Sequence, residues 1–254
     1  MPDIEKSQQV VLITGGSRGI GAQTAKLFAS QNYAVCINYK SDENAANQIV
    51  KDITAQGGKC IAVKADVSKE SDVITLFETI DKELGIITVL VNNAGVLQPQ
   101  MRLDEMDEER INTILTTNIT SYFLCSREAI KRMSTRYDGN GGSIVNVSSV
   151  ASKTGSPTEY IDYASSKGAI DTLTIGLSKE IAQEKIRVNC VRPGLIYTSM
   201  HKDGGEEHRV DRLKEVIPMR RGGLTQEVSE AIYWLSCDKS SFSTGCFIDV
   251  AGGL

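Results

Sequence analysis

Short apolar runs rich in β-branched residues recur along the chain at 10–13, 34–37, 60–63, 88–91, 144–147, 186–191 and 247–250. Each has the length and composition of a buried strand. Between them the apolar positions switch to helical spacing, as at Leu173, Leu177 and Ile181 or at Ile111, Ile114 and Leu115, and some of these segments close on glycines such as Gly57 and Gly58. Strand and helix thus alternate from end to end. That order predicts right-handed crossovers and an α/β fold, a doubly wound parallel sheet of seven strands with helices on both faces. Ligands of such sheets sit beyond the carboxyl ends of the strands, so chemistry is expected in the loops that follow them. No linker, repeat or low-complexity tract interrupts the pattern, and 138–142 reads as a turn, so 1–254 is expected to be a single domain. The segment 195–223 differs: it is dense in charge, poor in periodic apolar residues and holds both histidines, His201 and His208. It is expected to be a mobile substrate lid.

Composition narrows the classes without choosing among them. With 254 residues, 41% of them hydrophobic and 24% charged, and a formal charge of −4, the chain is neither disordered, collagenous nor a disulfide scaffold. The mild acidity offers no broad field to nucleic acid or anionic lipid. No apolar run approaches the roughly 20 residues of a membrane span, and residues 1–6 lack the apolar stretch of a signal peptide. None of the six cysteines forms a C-x-x-C pair, and Cys36, Cys60 and Cys190 lie in apolar runs. Free, buried thiols and a cytoplasmic location are expected, with no metal site.

The first strand is followed at once by Thr14-Gly15-Gly16-Ser17-Arg18-Gly19-Ile20-Gly21 and then by helical spacing through Ala22, Ala25 and Ala29. A glycine turn entering a helix lets the backbone approach a pyrophosphate, whose charge meets free N–H groups at the helix N-terminus. The spacing is G-x-x-x-G-x-G rather than G-x-G-x-x-G. The same residues satisfy G-x-S-x-G, an elbow that would make Ser17 a hydrolase nucleophile. Against that stands the shortness of the stretch before Thr14, which leaves no room for the strands and oxyanion loop a hydrolase needs ahead of its elbow.

A second constellation is Tyr163-Ala164-Ser165-Ser166-Lys167, which sets a phenol and an ammonium one helical turn apart on one face. Of the eight tyrosines only Tyr163 has lysine at i+4. A free phenol titrates near ~10, too high for proton exchange at neutral pH, and a neighbouring cation lowers that value. Tyr163 is thereby a candidate general acid and base.

Four motifs in order, Thr14 to Gly21, Asn92-Asn93-Ala94-Gly95, Tyr163 to Lys167 and Pro193-Gly194, resemble those of the short-chain dehydrogenase/reductase family over 10–253, with 3-oxoacyl-carrier-protein reductases and glucose 1-dehydrogenases nearest in motif. The resemblance implies a Rossmann-type sheet and hydride exchange between a nicotinamide dinucleotide and a carbonyl or secondary alcohol. It implies Tyr163 as the proton donor to the carbonyl oxygen, and Lys167 as the cation that lowers the phenol pKa and binds the nicotinamide ribose. Ser149 would hydrogen-bond the substrate oxygen, and Asn118 would support a proton-relay water. Ser149 stands fourteen residues before Tyr163, one more than is usual in the family. Val150 occupies the usual interval but has no hydroxyl; Ser149 is chosen from its local motif, Asn146-Val147-Ser148-Ser149 at the end of a predicted strand, with Ser148 as the runner-up.

The same resemblance makes Gly15, Ser17, Arg18, Gly19, Ile20 and Gly21 of the glycine loop cofactor-binding residues and sets Asn93, Ala94 and Gly95 against adenosine. Asp66 and Val67 fall at the adenine edge, although Asp66 reads equally as a cap for a helix entered at Ser68. Pro193, Gly194, Ile196 and Thr198 would contact the nicotinamide carboxamide. The second strand ends Asn38-Tyr39-Lys40 with no carboxylate before Asp42, while Arg18 and Lys40 offer cations to a 2′-phosphate, so NADP(H) is expected over NAD(H). Candidate substrate walls are 96–102, 150–160 with Tyr160 at the mouth, and the lid, whose charges favour a polar carbonyl compound over a flat sterol. A homotetramer, or a homodimer, packed through the helices that carry Asn118 and Tyr163 is implied. The competing readings are a nucleotide-binding sensor without turnover and a serine hydrolase at Ser17.

Overall fold

The structure, a computed structural model, describes residues 8–254. The signal-peptide expectation concerns 1–6, outside the described residues. Seven strands, β1 (Val10–Ile13), β2 (Ala34–Tyr39), β3 (Cys60–Lys64), β4 (Val89–Asn92), β5 (Gly142–Val147), β6 (Ile186–Pro193) and β7 (Phe247–Val250), coincide with the seven apolar runs to within two residues at either end. They form one parallel sheet in the order β3-β2-β1-β4-β5-β6-β7. The chain winds outward from β1 to β3 and then crosses back to place β4 on the other side of β1. The carboxyl ends of β1 and β4 therefore diverge into a crevice, the topological switch point of the sheet.

Among the described residues the ten α-helices are α1 (Gly19–Ser30), α2 (Glu43–Thr54), α3 (Glu70–Glu83), α4 (Glu108–Leu115), α5 (Ser121–Met133), α6 (Ala151–Thr154), α7 (Ile161–Glu180), α8 (Met200–Asp203), α9 (Arg209–Leu213) and α10 (Thr225–Ser236). Alternate residues of β1 enter different cores: Val11 and Ile13 pack with Phe28 of α1, Ile53 of α2 and Leu235 of α10. Val10 and Leu12 pack with Phe77 of α3 and with Cys125 and Met133 of α5. Burial on both faces is why the strands read as unbroken apolar runs rather than as alternating ones. Local signals end the helices where polarity demands it. Asp42 accepts the Ala45 N–H at 2.9 Å to start α2, and Gly57, with φ +82°, lets the chain leave it.

Segment 195–223 is closed at its base by Tyr197 N–H donating to Gly223 O at 3.0 Å and Gly223 N–H donating to Leu195 O at 2.9 Å. Inside this excursion α8 and α9 are regular, which the lack of apolar periodicity had hidden. Ion pairs tie both to their surroundings: Asp203 of α8 binds Arg18, Arg209 of α9 binds Glu159 and Glu206, and Arg212 binds Glu206. No helix among the described residues is long and apolar enough to cross a membrane. All six cysteines are free, with Cys36, Cys60, Cys125 and Cys190 buried.

Candidate active site

At the switch point the two loops are fastened to each other by side chains that no local pattern reveals. The Thr14 hydroxyl accepts the N–H groups of Asn93 and Ala94, both at 3.0 Å. Asn93 Nδ2 in turn donates to the carbonyls of Thr14 at 2.9 Å and Gly15 at 3.1 Å. The turn requires glycine: Gly15 has φ +61°, and a Cβ on Gly21 would lie 2.5 Å from the Gly15 carbonyl oxygen and 2.6 Å from Asn93 Nδ2. α1 then starts at Gly19 with no capping side chain from Arg18, so its first N–H groups keep their donors for a ligand. They border a cleft of about 390 Å³. Backbone donors, a positive helix end and a cradle that a Cβ would fill suit a pyrophosphate, so the residues present fit a dinucleotide.

Gly15, Ser17, Arg18, Gly19, Ile20, Asn38, Tyr39, Lys40, Asp66, Val67, Asn93, Ala94, Gly95 and Thr198 all line that cleft, and Gly21 supports it from behind. Several side chains are already engaged. Asn38 is buried, accepts the Gly15 N–H at 3.3 Å and donates to Ala65 O at 2.9 Å, so it braces the glycine turn. Arg18 pairs with Asp203 of α8 at 2.5 Å, and Lys40 pairs with Asp66 at 2.9 Å. Asp66 is not the cap of α3, which begins at Glu70 behind Lys69. Its carboxylate accepts the N–H and hydroxyl of Ser68, at 3.2 and 2.6 Å, in the turn before the helix.

Ile20, Asn93, Thr198 and Met200 also border a second cavity, of about 350 Å³, so the two are one continuous crevice. Ser149, Tyr160, Tyr163, Lys167, Pro193, Gly194 and Ile196 meet there. The end of β5 separates the two candidate serines. Ser148 is buried and its hydroxyl donates to Lys167 O at 3.1 Å, whereas Ser149 is half-buried on the cavity wall and its hydroxyl faces the Tyr163 phenol. The longer interval, which contains α6, has not moved Ser149 out of reach. Tyr160 is buried and spends its hydroxyl on Gly204 O at 3.0 Å.

Tyr163 and Lys167 share one face of α7, as their spacing requires, but the ammonium is directed mainly at other atoms. Lys167 Nζ donates to Val147 O at 2.8 Å and to the Tyr122 hydroxyl at 3.3 Å, and lies 5.6 Å from the centre of the Tyr163 ring. Burial pulls the Lys167 pKa down from 10.5 to about 8, with Cys190 and Asp171 opposing. Burial likewise pushes the Tyr163 phenol up from 10.0 to about 12, against the Ser149 hydroxyl, which lowers it. Desolvation thus dominates the phenol, and the group that opposes it is the Ser149 hydroxyl rather than the expected lysine.

Asn118 sits in a π-helical turn, Thr116–Thr120, that joins α4 to α5 and aims its side chain inward. Fully buried, it accepts the Val96 N–H at 2.8 Å and donates to Val96 O at 3.0 Å and Ser166 Oγ at 3.2 Å. A Cβ on Gly95 would stand 3.5 Å from Asn118 Oδ1 and 3.7 Å from Lys167 Nζ, so the amide and the ammonium converge over that glycine. Tyr122 and the ion pair of Arg110 with Asp162 carried no motif and were missed. Arg110 Nε meets Asp162 at 2.8 Å and Nη1 donates to Pro99 O at 2.7 Å, while Asp162 accepts the Tyr163 N–H at 2.8 Å. These bonds hold the loop after β4 and the start of α7 in fixed relation. Ser17 borders the first cavity and His201 the second, with no bond between them, so the elbow lacks its base.

A family model described as short chain dehydrogenase matches residues 9–209. The uncharacterized oxidoreductase YgfF of Escherichia coli is 56% identical over 96% of this chain and 99% of its own. A 3-oxoacyl-(acyl-carrier-protein) reductase of Synechocystis is 35% identical over 97% and 96%. A short-chain dehydrogenase/reductase from Serratia marcescens superposes with a TM-score of 0.89 at 29% identity, covering 97% of this chain and 98% of that one. Sequence, fold and switch-point architecture agree, and the chain belongs to the short-chain dehydrogenase family, oxidoreductases that interconvert carbonyls and alcohols with a nicotinamide dinucleotide.

Proposed function

We propose that the chain is an NADP(H)-preferring carbonyl reductase in which Tyr163 is the general acid and base. One observation carries this reading: Ser149, Tyr163 and Lys167 meet in the part of the crevice that continues from the glycine turn. A bound nicotinamide would supply hydride in reduction and take it up in oxidation. The Ser149 hydroxyl and the Tyr163 phenol would bind the substrate oxygen and fix its orientation. The phenol, held protonated by burial, would donate its proton as the alkoxide forms. The Lys167 ammonium would stabilise the phenolate left behind and bind the ribose, and Asn118 would hold the 96 loop where the proton returns from solvent. Turnover of NADPH and NADH against ketones, acetoacetyl thioesters and sugars tests the reading; no dinucleotide-dependent turnover of any of them would sink it.

Two cations and a missing acid support NADP(H). Arg18 and Lys40 stand at the cleft, while Asp42, the acid nearest the end of β2, is committed to capping α2. Their pairs with Asp203 and Asp66 are largely exposed on the basic side and cost roughly 0–1 kcal/mol to rearrange. A 2′-phosphate would engage both cations by charge-assisted bonds. Arg18→Ala is expected to raise the Kd for NADPH about tenfold and that for NADH less than about twofold, read by fluorescence titration. Equal losses for both cofactors would exclude the assignment.

We further propose a homotetramer in the cytoplasm. Phe123 on α5 and Ile175 on α7 are exposed apolar residues on the two helices implied to pack against their copies. Sedimentation equilibrium should return about four chain masses, and a monomer at micromolar concentration would rule this out. Four buried free thiols suit a reducing compartment.

A further inference from the structure

The cavity beside Tyr163 has a wall rich in apolar side chains, Leu97, Val150, Met200, Leu213 and Val216 among them. Its ions are spent on each other: buried Arg209 binds both carboxylate oxygens of Glu159 and one of Glu206. The hydroxyl of Tyr160 is spent on Gly204 O. Apart from the Lys167 ammonium, which is bonded to Val147 O and the Tyr122 hydroxyl, a substrate that reaches Ser149 and Tyr163 with its carbonyl therefore meets no unpaired ion around them.

His201 of α8 is the exception on this wall. Its Nε2 lies 2.9 Å from the Ile196 carbonyl oxygen. A carbonyl only accepts, so Nε2 carries the hydrogen and Nδ1 of the neutral ring presents a bare lone pair. Burial holds the imidazole pKa below its ordinary value, with the Ile196 carbonyl opposing, which favours the neutral ring. Nδ1 is buried and has no partner; among the described residues the other such side-chain atoms are Asn92 Oδ1 and Arg110 Nη2, and neither residue borders this cavity. A buried acceptor left unbonded is costly, and a ligand donor removes that cost.

We infer that His201 Nδ1 accepts a hydrogen bond from the substrate, and that the enzyme acts on uncharged carbonyl compounds carrying a hydroxyl or amide N–H away from the reacting carbon. This deepens the proposed carbonyl chemistry of Tyr163 and Ser149 and rests on it. α8 is well placed for such a role, because the same short helix presents Asp203 to Arg18 and His201 to the substrate cavity.

The test pairs straight-chain methyl ketones of increasing length with analogues in which a hydroxyl replaces the terminal methyl, assayed with NADPH on the full chain. For at least one length the wild type should favour the hydroxyketone about tenfold in kcat/KM. His201→Leu, which removes the acceptor, should bring that ratio close to one. His201→Asn, whose side-chain amide reaches the Nδ1 position but not the Ile196 carbonyl, should keep a ratio above about three. A purely structural role through Ile196 would instead leave the ratio unchanged in both variants. A wild-type ratio near one at every length, with the plain ketones turned over, overturns the inference and spares the carbonyl reading. No turnover of either series overturns both. Should His201→Leu fail to fold, the wild-type ratio and His201→Asn decide the matter.

Discussion

Replacing Tyr163 with phenylalanine is expected to lower kcat for ketone reduction at least about a thousandfold while changing the Kd for NADPH less than about threefold. The ring stays, so the packing of α7 against the crevice stays with it, and only the hydroxyl is lost. That hydroxyl is the one ionisable proton facing Ser149, and burial pushes its pKa to about 12, so at neutral pH it is a stored proton. Without it the alkoxide that develops on the substrate must be protonated by water from outside a crevice lined largely by apolar side chains. Steady-state rates with NADPH and a dinucleotide titration on the same preparations provide the check. A variant keeping more than about a tenth of its activity would remove Tyr163 from the chemistry, and one that no longer bound dinucleotide would make the loss uninformative about proton transfer.

Lys167→Met should be close to inactive and yet more stable than the parent chain at neutral pH. The activity loss, about a hundredfold or more, follows from removing the cation beside the phenol. The stability gain follows from burial. Lys167 is 3% exposed, and no carboxylate lies within bonding distance of its ammonium. Its folded pKa of about 8 lies below the 10.5 of the unfolded chain. The ammonium therefore costs stability in full below about pH 8, and the cost fades as pH climbs toward 10.5. A depression of that size corresponds to roughly 3 kcal/mol, from which the lost bond to Val147 O must be subtracted. That carbonyl keeps the Tyr122 hydroxyl at 2.9 Å, so it is not orphaned. Thermal unfolding at pH 7 should show Tm raised by about 5 °C in the variant, with the gain shrinking toward pH 10. A gain that did not depend on pH would trace to packing of the methionine, and a lower Tm at pH 7 would show that the ammonium bonds outweigh its burial.

These two groups also mark how far local pattern reaches. Unbroken apolar runs set β1 to β7 to within two residues, and the glycine turn and the i, i+4 placement of Tyr163 and Lys167 were visible because each is encoded over a few bonds of chain. The local motif pointed to Ser149 over Ser148 as well, but not to what separates their surroundings: the Ser148 hydroxyl is spent on Lys167 O, a contact across 19 residues. Asn118 was legible as a residue but not as a geometry, since the π-helical turn that aims it inward arises where α4 runs into α5.

The sequence by itself determined the alternation of strands and helices, the glycine cradle, the tyrosine and lysine on one helical face and hence the family. Only the tertiary structure decided where the ions go and what the lysine touches. Arg18 meets Asp203 across 185 residues, Arg110 meets Asp162 across 52, and Tyr122 comes under Lys167 across 45. Such contacts are fixed by how helices pack on the sheet, and no spacing along the chain records them. The same holds for the burial that raises the phenol pKa and lowers that of the lysine. A motif specifies the neighbour, whereas the dielectric around the pair is set by the tertiary fold, and burial is the largest cause acting on both groups.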